Sequence, residues 1–171
     1  MRALLLTGLP GVGKTTVIRA VADRLPKLTL RGFYTSEIRE GGIRKGFQLL
    51  SFEGEEYLLA HVDMDSSQRV SKYGVDVAML EGQSGQLLNA DPPADLYLVD
   101  EIGKMECMSA GFISAMRGIM DAGLPLVATV AMRGGGFIAE AKGRPDVDVW
   151  EVTRDNRDVL PEQVIEWLGV V

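Results

Sequence analysis

The sequence holds one cysteine, Cys107, and one histidine, His61. A lone cysteine excludes an intrachain disulfide and any multi-cysteine zinc site, and a lone histidine excludes a histidine-rich metal centre. Both scarcities fit a reducing, cytoplasmic setting. No apolar run reaches the roughly 18 residues that a membrane span needs. The start, Met1-Arg2-Ala3-Leu4-Leu5-Leu6, could open a signal peptide. The run stops at Thr7-Gly8 with no small-residue cleavage site after it, so it reads as a buried strand. Basic residues are the minority, 18 Lys and Arg against 24 Asp and Glu, for a formal net charge of −6. That balance argues against nucleic acid as a partner, which needs a basic footprint, but it does not exclude a local phosphate pocket.

What is present is the make-up of a globular chain, 46% apolar and 25% charged. The 171 residues suit one domain, 1–171, able to bury a core without disulfide or metal staples. Arg2 to Thr7 has the apolar pattern of a strand buried on both faces. Gly8 to Gly13 is a loop. Lys14 to Leu25 reads as a helix, with Val17, Val21 and Leu25 at four-residue spacing and Pro26 at the exit.

Three extended segments follow, Gly32 to Arg39, Ile43 to Phe52 and Tyr57 to Val62, separated by Glu40-Gly41-Gly42 and Glu53-Gly54-Glu55. They predict an antiparallel meander inserted before the later βα units. Met64 to Asp95 is rich in Ser, Gly, Gln and Pro and predicts only a short strand near Val75 to Val77 and a poor helix. Leu96 to Val99, Leu126 to Ala131 and Val147 to Val152 predict further strands. Ala110 to Ala122, Phe137 to Lys142 and Pro161 to Leu168 predict helices. The alternation gives an α/β fold, a mostly parallel sheet flanked by helices with the meander as an insertion.

Gly8-Leu9-Pro10-Gly11-Val12-Gly13-Lys14-Thr15 matches the phosphate-loop pattern G-x-x-x-x-G-K-[ST] at every fixed position. Glycines let backbone N–H groups approach a polyphosphate, and the helix start aims its dipole at the same anion. Lys14 adds charge for the β- and γ-phosphates, and Thr15 offers a hydroxyl to Mg²⁺. A buried strand precedes the loop and an amphipathic helix follows it, which is the context the pattern requires.

The strand Leu96-Tyr97-Leu98-Val99 ends in Asp100-Glu101. Asp100 can hold Mg²⁺ or one of its waters opposite Thr15. A carboxylate just beyond it, Glu101, can orient and deprotonate a water attacking a γ-phosphate. Lys104 lies near enough in sequence to neutralise developing charge, or it is a solvated surface lysine. Arg133, in the Gly134-Gly135-Gly136 loop, is the best-placed arginine for phosphoryl chemistry, with Arg154 and Arg157 next; each can equally be a solvated side chain. Arg31, Arg39, Arg44 and Lys45 read as the polar face of a hairpin. Phe33, Tyr34, Phe47 and Tyr57 read as core or cross-strand pairs before they read as a base-stacking surface. Cys107, Met105 and Met108 read as packing residues.

These residues resemble the thermophilic nucleoside-triphosphatase family of P-loop NTPases, which includes the cancer-related nucleoside triphosphatase of animals. The likeness runs through Gly8 to Thr16, Gly32 to Arg39, Arg44-Lys45-Gly46-Phe47, Lys72-Tyr73-Gly74-Val75, Thr129-Val130-Ala131 and Asn156-Arg157-Asp158. Its most specific string is Asp100-Glu101-Ile102-Gly103-Lys104-Met105-Glu106. The resemblance implies Mg²⁺-dependent hydrolysis of nucleoside triphosphates (ATP, GTP, CTP and UTP alike) on a RecA-like sheet. It implies Glu101 as the catalytic carboxylate, Asp100 as the metal residue, and Asn156 and Arg157 facing the nucleotide. The chain departs from the family after Tyr73-Gly74-Val75, where Gly82-Gln83-Ser84-Gly85 is expected to interrupt a longer helix. Two other readings stay open. A small-molecule or nucleotide kinase would need an acceptor pocket and usually an arginine-rich lid, and no arginine cluster is present. A nucleotide-dependent switch would act through a protein partner, and the guanine-reading string N-K-x-D is absent.

Overall fold

The computed structural model describes residues 3–170. Arg2, where the sequence reading starts the first strand, lies outside the described residues with Met1 and Val171. The chain runs through β1 (Ala3–Thr7), α1 (Lys14–Asp23), β2 (Leu30–Glu40), β3 (Ile43–Ser51), β4 (Glu56–His61), β5 (Arg69–Val70), β6 (Tyr73–Val75) and α2 (Val77–Leu87). It continues through β7 (Leu96–Ile102), a 3₁₀ turn (Glu106–Met108), α3 (Ala110–Asp121), β8 (Leu126–Val130), α4 (Gly136–Gly143), β9 (Val147–Glu151) and α5 (Leu160–Leu168). The strands form one sheet in the order β5-β6-β4-β3-β2-β7-β8-β1-β9. From β2 to β9 every pairing is parallel, and from β2 to β5 every pairing is antiparallel.

Strand alternation divides the apolar side chains between two faces. Leu4 and Leu6 of β1, Leu96 and Leu98 of β7 and Val127 of β8 pack under α1 and α5, against Val17, Ile18, Val21, Val164 and Leu168. Leu5, Tyr97, Val99, Ala128 and Val130 turn the other way, under α2, α3 and α4, against Leu80, Phe112, Met116, Ile119 and Ile138. Burial on both faces explains the unbroken apolar runs of β1, β7 and β8.

The antiparallel meander stands between α1 and the later βα units as expected, and its first strand also belongs to the parallel sheet. Leu30 to Phe33 pairs parallel with Leu96 to Val99, and only beyond that point does β2 continue out of the parallel sheet paired with β3 alone. Gly32 makes this possible: a Cβ there would meet Leu98 O at 2.0 Å. The helix expected to break at Gly82-Gln83-Ser84-Gly85 needs correction. It runs unbroken as α2 from Val77 to Leu87. Asp76 caps it by accepting from Met79 N at 2.9 Å, and Leu80, Ser84 and Leu87 are buried. Tertiary docking outweighs the roughly 1 kcal/mol that each glycine costs in a helix. The least readable stretch also holds β5 and β6, which add two short strands to the meander edge. No helix among the described residues is long and apolar enough to cross a membrane.

Candidate active site

The parallel strands bring their C-terminal ends to one edge, where loops can build a site. Loop 8–13 leaves β1 there and delivers Lys14 to the first turn of α1. Gly8, Gly11 and Gly13 carry φ of +156°, +75° and +116°. A Cβ at Gly8 would also meet Val152 O at 2.6 Å, so the close approach of this loop to the end of β9 requires glycine. The first N–H groups of α1 have no intrahelical partners, which leaves them free for an anion. Lys14 Nζ donates to Gly8 O at 2.7 Å, which folds the ammonium back over the loop.

Asp100 sits at the end of β7, only 3% exposed. Its Oδ2 accepts from Thr15 Oγ1 at 2.6 Å, and its Oδ1 accepts from Thr129 Oγ1 at 2.6 Å. Thr35 Oγ1 adds a longer contact to Oδ2 at 3.3 Å. Three hydroxyls from α1, β8 and β2 therefore seat one carboxylate. The β7–β8 ladder slips here: Val99 pairs with Ala128 and Ile102 with Val130, so Asp100 and Glu101 together oppose Thr129. Such a bulge re-aims side chains at a strand end. It also reverses the alternation, because Val99 and Ile102 pack in the same face.

An inner cavity of about 380 Å³ opens between the phosphate loop and the meander. Lys14 and Thr15 line it from the loop, Arg44 and Phe47 of β3 line it from across, and Asp100, Glu101 and Lys104 also border it. Burial raises the Glu101 carboxyl above the ordinary carboxylate range, the charge of Asp100 adds to that, and the Lys14 ammonium opposes it. Glu106, on the 3₁₀ turn, is 4% exposed and borders the same cavity. The backbone of Gly103 is wedged between the two carboxyls; a Cβ there would lie 2.7 Å from Glu101 Oε1 and 2.9 Å from Glu106 Oε2. Burial first, and the Glu101 charge next, push Glu106 up to about 8. Glu106 is accordingly held in its neutral form at pH 7. Burial pushes the neighbouring Cys107 thiol up to about 12, in keeping with a packing residue.

The pairing of a hydroxyl and a carboxylate oxygen at Thr15 and Asp100 suits a hard cation, which takes oxygen ligands. No cluster of three His, Cys, Asp or Glu able to hold a metal exists among the described residues. That donor set matches an ion carried in largely by substrate phosphates rather than one caged by protein, the usual habit of Mg²⁺.

The other flank of the loop faces an outer cleft of about 440 Å³, lined by Gly13, Thr16, Val17, Arg24, Arg157 and Pro161 among others. Arg157 Nη1 donates to Val12 O at 3.1 Å, so this side chain lies on the phosphate loop. Asn156 does not. Its amide donates to Glu151 O at 2.8 Å and its oxygen accepts from Thr153 N at 2.8 Å, which ties the turn that presents Arg157. Leu9 and Val12 line a smaller cavity of about 240 Å³ with Arg154. Arg133 is exposed and borders neither the inner cavity nor the outer cleft.

Sequence reasoning gave no role to Thr129, Thr35, Glu106 or Arg44. The first had a signal: a hydroxyl inside the apolar run Leu126 to Val130 must find a partner when buried. Thr35 and Arg44 meet partners distant in the chain, Asp100 and Tyr73, and Glu106 is buried by the fold of its own turn.

Comparison with known proteins follows the same lines. The family model described as NTPase matches residues 3–165. The nucleoside-triphosphatase THEP1 of Thermotoga sp. (strain RQ2) is 39% identical over 166 residues, covering 96% of this chain and 94% of its own. The cancer-related nucleoside-triphosphatase of Homo sapiens is 35% identical over 180 residues, covering 96% and 95%. The crystal structure of THEP1 from the hyperthermophile Aquifex aeolicus superposes with a TM-score of 0.86 at 32% identity, covering 97% of this chain and 98% of the other.

Proposed function

The chain belongs to this family of nucleoside-triphosphatases, and from that premise we propose that it hydrolyses nucleoside 5′-triphosphates of any base, with Mg²⁺, to the diphosphate and phosphate. The observation that carries the reading is the meeting of Lys14, Thr15, Asp100 and Glu101 around one cavity at the end of the parallel strands. The triphosphate lies along loop 8–13, with its γ-phosphate at the inner cavity and its nucleoside toward the outer cleft. Thr15 and Asp100 would hold Mg²⁺, which when bound offsets the charge on the phosphate oxygens.

Glu101 takes the proton of a water in the inner cavity as its oxygen attacks the γ-phosphorus. The bond from phosphorus to the bridging oxygen breaks, and the diphosphate leaves with the electron pair. A carboxyl raised by burial is better matched to proton transfer near neutral pH than an ordinary one. Lys14, released from Gly8 O, turns its ammonium to the β- and γ-oxygens. Lys104 is exposed at the rim of the cavity and adds charge there. The outer cleft offers Arg157 and Pro161 as flat or apolar surface and no buried polar side chain. Contact of that kind favours any base, because every base has a π-face and no edge is read.

Phosphate release from ATP, GTP, CTP and UTP, with Mg²⁺ or with a chelator and with no acceptor added, tests this reading. It requires release from all four that stops when the metal is removed. Diphosphate formed only when a hydroxyl acceptor is supplied, with the phosphoryl group on that acceptor and no free phosphate, would indicate a kinase instead.

A further inference from the structure

Lys14 meets only part of the charge that spreads over three γ-phosphoryl oxygens during transfer, and phosphoryl-transfer sites commonly add an arginine. Arg133 and Arg154 do not border the inner cavity. Arg44 does, from β3 on the wall across from the phosphate loop. Its guanidinium is held from several sides. Nε donates to Tyr73 Oη at 2.9 Å and Nη1 donates to Glu37 Oε1 at 2.9 Å. Its central carbon stands 5.3 Å from the Phe47 ring centroid and 5.9 Å from that of Tyr73. The hydrogen bonds of Arg44 among the described residues use Nε and Nη1 and leave Nη2. A long, entropically free side chain is thus fixed by residues of β2, β3 and β6, with donor capacity to spare.

We propose that Arg44 is the arginine, supplied by this chain itself, that contacts the γ-phosphoryl group as charge develops, and that Tyr73 positions it. The inference rests on the hydrolysis reading above. Arg44 stays protonated and exchanges no proton; its contribution is fixed charge in a preorganised place. Glu37 stays ionised, held below the ordinary carboxylate range chiefly by the hydrogen bond from Arg44. That carboxylate balances Arg44 in the ground state, so the arginine adds little to triphosphate binding and acts mainly on kcat.

The test compares kcat for ATP with Mg²⁺, and Kd for a non-hydrolysable ATP analogue, in the wild-type chain, Arg44→Ala, Arg44→Lys, Tyr73→Phe, the double variant and Arg133→Ala. The expected result is a loss of about 100-fold in kcat for Arg44→Ala with Kd changed less than about threefold. Arg44→Lys regains part of the rate. Tyr73→Phe lowers kcat several-fold alone and adds nothing on the Arg44→Ala background. Undiminished kcat in Arg44→Ala, an equal loss of kcat/KM and of affinity, or a loss in Arg133→Ala in its place overturns the proposal while wild-type hydrolysis stands. A wild-type chain that releases no phosphate overturns the hydrolysis reading and this inference together. If Arg44→Ala is unfolded at the assay temperature, Arg44→Lys decides: full kcat there overturns the assignment, and a loss of tenfold or more at unchanged Kd upholds it.

Discussion

The two walls of the inner cavity are built in different ways. The phosphate-loop wall comes from one contiguous string, Gly8 to Thr15, joining one strand to one helix. Its working groups are backbone N–H donors, one lysine and one hydroxyl. The facing wall comes from β2, β3, β4 and β5 and the turn after β7, and its polar and aromatic groups are side chains: Glu37, Arg44, Phe47 and Glu106. The first wall lies in a parallel sheet packed on both faces, whereas much of the second lies on antiparallel strands with exposed residues at alternate positions. A loop that binds through its backbone suits the constant part of a substrate. A wall of side chains suits the part of the reaction that must be tuned.

Asp100 joins the two walls, since Thr15 belongs to the first while Thr35 lies on β2, where the second begins.

If the loop wall binds and the facing wall acts on rate, substitutions should separate. Lys14→Ala carries the largest expected effect on binding, a loss of on the order of 100-fold in triphosphate affinity by calorimetry. A Lys14→Ala chain that binds normally and only turns over slowly would break the division. Thr129→Val keeps the shape of a fully buried residue but strips the Asp100 carboxylate of one donor. It should cost about 1–3 kcal/mol of stability in urea unfolding and lower activity with it.

Glu106→Gln sharpens the account of the facing wall through pH. Glu106 is raised from 4.5 to about 8 in the folded chain, so between those values the folded chain holds a proton that the unfolded chain has lost. Stability therefore falls as pH rises through that window and levels off above it. Urea titrations at pH 5, 6.5 and 8 should show a shallower fall for Glu106→Gln than for the wild type. Parallel curves would mean that Glu106 is already ionised beside Glu101. The smallest effect belongs to Arg157→Ala. This side chain is 43% exposed at the outer cleft, so KM should rise about threefold with kcat unchanged and no base favoured over another.

What the sequence made legible divides along the same line. The loop wall is readable because its residues are adjacent and its glycines, lysine and threonine form a pattern on their own. Asp100 was also readable, although 85 positions separate it from Thr15, because an apolar strand that stops at a carboxylate is itself a pattern. Arg44 was not. As one of several cations on a hairpin it looks like any solvated face, and only the pairing of β3 with β2 and the return of β6 bring Tyr73 and Glu37 to it. Glu106 hid for a similar reason, since nothing local says that a 3₁₀ turn will bury it beside Glu101. The helix α2 was read as broken at its glycines because propensity is local, while the burial of Leu80 and Leu87 that holds it is not.

The most direct test concerns Glu101 as the group that activates water while the loop binds. Single-turnover phosphate release from ATP with Mg²⁺ would be followed in the wild type and in Glu101→Gln, with the Kd for ATP measured on the same preparations. The account predicts a fall of about 1,000-fold in the rate with Kd within a factor of about three. Equal rates in the two chains, or a loss of binding that matches the loss of rate, would contradict it.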